Sequence, residues 1–337
     1  MARQDRLQGD LERGWAALDD GDLELAAQCV ERCQRIDRAH ADVIALDAAI
    51  AEASGDAERA LARYHELMAA LPDEAGPRIA IARLQLAELG DADAALASLD
   101  PAFELIDDDQ LLIEAIIVRC DALLALGDDA GARETLAELA STPLDDARLA
   151  LELAELAHAA GDPALARQWI ELARADAEVE TDALHLLGSV RAAADDLRGA
   201  AEVWQTVRAR DAAEPPGELA ISEDALEQIA SDALAELPPE VRGHLARVPI
   251  LIDDAPNEAM VADGVDPRLL GLFQGTPLSD AGDLAPSVTQ IWLFRRNLER
   301  IAHDLDHLAE EVRITVLHET AHYFGLDEDD LVNLGLD

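Results

Sequence analysis

Through its first two hundred residues the chain keeps its apolar positions in a fixed register against a recurring Gly-Asp pair. The pair stands at Gly21, Gly55, Gly90, Gly127 and Gly161, with Asp195-Asp196 in the sixth place, at steps of 34, 35, 37, 34 and 34 residues. Five positions after each marker comes alanine: Ala26, Ala60, Ala95, Ala132, Ala166 and Ala200. Nine after it comes a larger apolar residue: Val30, Tyr64, Leu99, Leu136, Ile170 and Trp204. Seven before it the residue is small at Gly14, Ala48, Cys120, Ala154 and Gly188, with Arg83 the exception. This pattern predicts, in each unit, a helix, a tight turn and a second helix. The alanines let paired helices approach closely, and the larger residue wedges against the next unit.

Six coincident registers resemble the tetratricopeptide repeat. The resemblance implies an all-α superhelical solenoid of about six repeats over residues 1–210, with a continuous core between repeats and a groove suited to a peptide or partner helix. Cys33 and Cys120 fall at positions that want small or apolar residues, so a packing role is expected of them. The run Asp211-Ala212-Ala213-Glu214-Pro215-Pro216-Gly217 interrupts the periodicity and marks a linker over 211–217.

Beyond the linker the clearest pattern is helical. Ile314, Leu317, Ala321 and Phe324 fall on one face, with Leu308 and Val312 extending it upstream, and Gly325 stands where such a helix stops. On this helix His318 and His322 are four residues apart, so both imidazoles can reach one ion. Glu319 is rotated from them, placed to flank a metal-activated water. Neutral imidazoles hold zinc, zinc acidifies water, and a carboxylate takes the proton. A third oxygen or nitrogen ligand should follow the Gly325 turn. His303 and His307 repeat the spacing without the carboxylate, in an acidic segment, and are read as solvated.

Several other segments stand in order around this motif. They are Ala233–Pro238, Pro249–Asp254, the glycine-punctuated Leu270–Leu278, the strand Ile291–Phe294 ending in Arg295 and Arg296, and Glu311–Leu331 closing with Leu334-Gly335. Together they resemble the minimal zincin-like metallopeptidases over residues 218–337. The resemblance implies a small α+β domain, zinc ligands at His318 and His322, and a general base at Glu319. In that family the third ligand is acidic and lies three positions after the glycine, where this chain has Glu328 in place of the usual aspartate, flanked by Asp327 and Asp329. Tyr323 replaces a histidine common in the family, and no residue suggests itself as oxyanion donor. By analogy with other zincins, the strand from Val288 to Arg295 should present the edge along which a substrate lies.

Composition narrows the functional classes. Half of the residues are hydrophobic but only 3% are aromatic, as suits closely packed helices. The formal net charge is −45 and the chain has no lysine; acids outnumber arginines 25 to 7 in residues 218–337 and 46 to 19 upstream. Such a surface repels nucleic acid, keeps the protein soluble and favours a basic partner. Cys29, Cys33 and Cys120 suggest no disulfide framework, and thus a reducing compartment. No stretch reaches the roughly 18 apolar residues of a membrane span. The opening Met-Ala-Arg-Gln-Asp-Arg lacks a signal-peptide core, so a cytoplasmic location is expected. The sequence therefore predicts a zinc metallopeptidase whose repeats recruit a protein partner or substrate. Its rival is a non-catalytic interaction scaffold carrying a metal-stabilised or inactive appendage.

Overall fold

A computed structural model of the chain describes residues 2–215, 217, 219–237, 239–245, 248–275 and 290–326. The chain forms two compact units, Met1–Leu172 and Ala173–Asp337. Among the described residues, twelve helices follow one another in pairs. These are α1 (Ala2–Asp19) and α2 (Leu23–Asp37), α3 (Ala41–Ala53) and α4 (Ala57–Ala70), and α5 (Gly76–Ala87) and α6 (Ala92–Phe103). Then come α7 (Asp109–Ala125) and α8 (Asp129–Ala137), α9 (Ala147–Ala159) and α10 (Pro163–Ala173), and α11 (Glu180–Ala193) and α12 (Leu197–Ala213).

Each Gly-Asp marker is the turn within a pair. Its glycine has positive φ, from +63° at Gly90 to +74° at Gly21 and Gly127, a geometry that glycine adopts without strain. At the sixth turn Asp195 takes the same geometry with φ +62°, tolerable because aspartate is among the few side chains that visit this region. The following aspartate caps the second helix. Asp22, Asp56, Asp91, Asp128, Asp162 and Asp196 each accept the N–H three residues on at 2.9–3.1 Å. Each such cap contributes about 1 kcal/mol. The six alanines of the +5 register are all 0% exposed. Arg83, the exception at the small position, is half-buried and bridges Glu52 (2.8 Å) and Glu114 (3.4 Å). Cys33 and Cys120 are buried, and burial first of all pushes their thiols up to about 11 and about 12. That agrees with a packing role.

The second unit begins before the segment read as linker, and α12 runs through Asp211 to Ala213. After it come α13 (Glu223–Glu236), α14 (Pro239–Leu245), β1 (Ile250–Asp253), α15 (Glu258–Ala262), β2 (Gly271–Gln274), β3 (Gln290–Phe294), α16 (Arg295–Ile301) and α17 (Leu305–Phe324). The strands form a sheet in the order β1-β3-β2. β3 runs parallel to β1, with Leu251 opposite Trp292, and antiparallel to β2, with Leu272 opposite Trp292. Leu293 of β3 packs with Leu226 and Ala230 of α13 and with Leu308, Val312 and Val316 of α17 in one buried cluster. β3 is thus the central strand, paired on both sides. The expected substrate edge on Val288–Arg295 is corrected accordingly: among the described residues the antiparallel edge is β2. No helix among the described residues is long and apolar enough to cross a membrane.

Candidate metal centre

The site is built on α17. Asp304 caps its start by accepting the His307 N–H at 2.8 Å. Gly325 ends it with φ +83°, and the Leu326 N–H turns back to the Ala321 carbonyl at 3.2 Å. The helix and its glycine stop lie where the pattern predicts, but the buried face is turned. Leu308, Val312, Thr315, Val316, Glu319, Thr320, Ala321 and Tyr323 are buried, whereas Ile314, Leu317 and Phe324 are only half-buried. Glu319 faces inward with a partner, since the Phe273 N–H donates to its carboxylate, whereas the buried Thr320 hydroxyl has none among the described residues.

His318 and His322 come together as expected. Their Nε2 atoms are 3.0 Å apart, and their rings meet edge to face. Two nitrogens on one tetrahedral zinc stand roughly 3.3 Å apart, so the pair fits a shared ion. Nδ1 of His322 faces the Leu326 carbonyl at 3.2 Å. With that nitrogen donating to a carbonyl, the Nε2 lone pair is left for a metal, as is usual for ligating histidines. Among the described residues no group of three or more His, Cys, Asp or Glu could hold a metal. Glu328, with Asp327 and Asp329, lies outside the described residues. His303 and His307 do not join the pair: His303 is exposed, and His307 faces Glu311 at 3.1 Å.

Glu319 is 6% exposed. Its carboxylate reaches β2 because Gly271 has no side chain: a Cβ there would stand 2.6 Å from Thr315 Cγ2 and 3.0 Å from Glu319 Cγ. The Phe294 N–H donates to the Leu270 carbonyl, so hydrogen-bonded pairs of the β2–β3 ladder fall at Leu270, Leu272 and Gln274. The main-chain groups of Gly271 and Phe273 therefore point away from β3. A groove of about 180 Å³ borders this strand, lined by Leu270, Gly271, Glu311, Ile314, His318 and Glu319. Tyr323, the departure from the family pattern, packs edge-on against Phe273 at 6.0 Å between centroids and so walls the same strand. The paired arginines after β3 serve neighbouring segments. Arg295 binds Asp254 and the Ile221 carbonyl, and Arg296 binds the Glu214 carbonyl at 2.7 Å.

Residues 245–336 match the zincin-like metallopeptidase family model. The match takes in the sheet and α17 of the zincin-like domain but not the repeats. The helical array is similar in fold to PilW, a widely conserved type IV pilus biogenesis factor. Identity is 17% over 62% of this chain and 94% of that one, with TM-score 0.53. It is also similar to pilF of Pseudomonas aeruginosa, at 19% identity over 64% and 96% of the two chains and TM-score 0.51. A tetratricopeptide protein of Thermus thermophilus matches at 20% identity over 55% and 98%, with TM-score 0.45. With its paired helices and recurring turns, the helical region has the fold of a tetratricopeptide solenoid. No curated protein matches the chain.

Within the first unit, a groove of about 870 Å³ runs along α7 and α9, with Ile113, Ile117 and Leu149 between Glu114, Arg148 and Glu152. Burial raises the carboxyl pKa of Asp121 and of Glu152, and the charge of Asp121 adds to the shift at Glu152.

Sequence reasoning missed Asn297. Its side chain is buried and donates to the carbonyls of Pro267 and Leu269, just before β2. An asparagine directly after two arginines carries no periodic signal that would have singled it out.

Proposed function

We propose that the zincin-like domain is a zinc-dependent peptidase and that the repeats recruit its protein partner or substrate. The observation that carries this reading is the 3.0 Å approach of the His318 and His322 Nε2 atoms on the helix that also carries Glu319. His318, His322 and Glu328 would hold the zinc. When bound, zinc acidifies water and polarises a peptide carbonyl. Glu319 takes the proton from the attacking water and returns it to the leaving amine. The N–H of Phe273 donates to that carboxylate and fixes it in direction. An extended substrate lies along β2, where the outward N–H and carbonyl of Gly271 and the carbonyl of Phe273 support strand addition, the Phe273 N–H being held by Glu319. Ile314 and Leu270 give its side chains an apolar wall. In the array, the acids around Ile113 and Ile117 favour a partner segment that carries a basic residue among apolar ones.

The rival reading, an interaction scaffold with a metal-stabilised appendage, draws support from that larger groove. Two variants separate the readings. Glu319→Gln should lower peptide hydrolysis about 10³-fold while one zinc per chain remains. His322→Ala should lose both zinc and activity. Zinc-loaded wild-type chain that cleaves no unfolded substrate would leave the scaffold; retained cleavage in Glu319→Gln would remove Glu319 from its role.

A further inference from the structure

The five residues before β2 are gripped from two sides. From α16, Asn297, 5% exposed, donates to the carbonyls of Pro267 at 2.9 Å and Leu269 at 2.7 Å. From the last helix pair of the array come charged groups. Arg268 donates through Nε (2.9 Å) and Nη2 (3.1 Å) to the two carboxylate oxygens of Asp211 on α12. Its Nη1 donates to Asp182 on α11 at 2.7 Å. Asp266 faces His185 Nε2 on α11 at 2.8 and 2.9 Å. Arg300 of α16 meets the same Asp211 at 2.8 Å. Beside these ion pairs Trp204 of α12 packs with Val261 of α15, and Gln205 and Arg208 donate to the carbonyls of Glu258 and Pro256.

The side chains of Arg268 and Asp211 are 17% and 13% exposed, so the two-pronged pair between them is strong and directional. Burial alone would raise the Asp211 carboxyl, but the hydrogen bonds from Arg268 and Arg300 outweigh it and hold the group below its ordinary range. Three residues past Arg268 stands Gly271, against Thr315 and Glu319; two further on is Phe273, whose N–H holds the Glu319 carboxylate. A shift of Arg268 is therefore a shift of the strand that orients the proposed base.

We infer that Arg268 is a positioning residue: anchored by Asp211 and Asp182, it lets the last tetratricopeptide helix pair set the place of β2, and through Phe273 the aim of Glu319. This rests on the reading of Glu319 as the general base. It makes α11 and α12 a working part of the peptidase, where the repeat pattern alone reads them as one more unit of a recruitment array. It also gives a partner that strains this helix pair a route to the rate of hydrolysis.

The test is amide hydrogen exchange on the full zinc-loaded chain, wild type beside Arg268→Ala and Arg268→Lys, with peptide kinetics on the same samples. In Arg268→Ala the amides of β2, Phe273 included, should exchange roughly ten-fold faster, while Leu308 to Val316 of α17 keep their wild-type rates. Arg268→Lys keeps the charge without the fork and should fall between the two. On a peptide, kcat should drop with KM held, as for a group that acts on the transition state alone. Unchanged β2 exchange in Arg268→Ala overturns the inference, and so does equal loosening of β2 and α17 in both variants. The exchange readout needs no turnover. A chain without peptidase activity would sink the reading of Glu319, while the β2 amides would still decide whether Arg268 positions that strand.

Discussion

In the repeat array, Ala26 and its five counterparts reach full burial at the same distance from the same turn, and six aspartates cap six helices in the same way. In the zincin-like domain, Glu319 meets β2 through one N–H, Gly271 admits α17 at one point, and one arginine, Arg268, ties the approach to β2 to the helices before it. The first region distributes its stability over near-identical neighbours, so a defect in one repeat is diluted. The second concentrates single-copy contacts on one short strand. The difference implies that damage in the array costs stability in proportion, while damage around β2 costs both stability and function at once.

The largest test of that contrast is where the chain can be cut. A chain beginning at Ala173 keeps α11 and α12, and should unfold in urea as the same unit does in the full protein. A chain beginning at residue 218 loses Asp182, Asp211 and Trp204, leaving Arg268 without its carboxylates. It also loses the Trp204–Val261 packing, so its urea midpoint should be lower. Equal urea midpoints for the two chains would show that the last helix pair is a passenger.

A pair of glycine substitutions compares the first unit with the second at smaller scale. A Cβ on Gly188 would stand 2.0 Å from Trp204 Nε1, which itself donates to the His185 carbonyl at 3.1 Å. Gly188→Ala should therefore destabilise the second unit by about 1–3 kcal/mol, as overpacking does. Gly90 has φ +63° and open space where a Cβ would go. Gly90→Ala should cost only the left-handed backbone penalty, about 1 kcal/mol, in the first unit. Urea midpoints of the two variants give the order; a reversed order would place the tighter packing in the first unit.

These contrasts also explain what could be read from the sequence. The array was legible because every register is sampled six times, so even Arg83 stood out as an exception. The pairing of His318 with His322 and the stop at Gly325 were legible because both are local on one helix. The inward turn of Glu319 was not, because it depends on a Phe273 N–H that lies 46 residues earlier in the chain. Nor was the central place of β3, since a five-residue strand reads the same at an edge as in the middle. Asp211 and Arg268 are 57 residues apart, and only the fold brings them together. Taken alone, Asp211 belongs to the polar run that breaks the repeat pattern.

The smallest expected effect sets the two regions in opposition on acidification. Asp211 sits below its ordinary carboxyl value of 3.8, because its arginine hydrogen bonds outweigh burial. As pH falls, the unfolded chain takes that proton before the folded one, so the contribution is present above about 3.8 and lost as pH falls through the lower folded value. Asp121 and Glu152 of the array are shifted the other way, raised from 3.8 and 4.5 by burial. There the folded state takes the proton first. Stability is gained as pH falls through the raised values and is complete below the ordinary ones. Both side chains reach solvent, so the gain is small. Urea midpoints measured from pH 6 down to about 3 should show this as a difference between variants. Asp121→Asn should flatten the early gain of the first unit, and Asp211→Asn the later loss of the second. If Asp211→Asn leaves the acid limb of the second unit unchanged, the Arg268 and Arg300 pairs contribute no net stability there, and the shape of the fold around Trp204 and Val261 holds that unit without them.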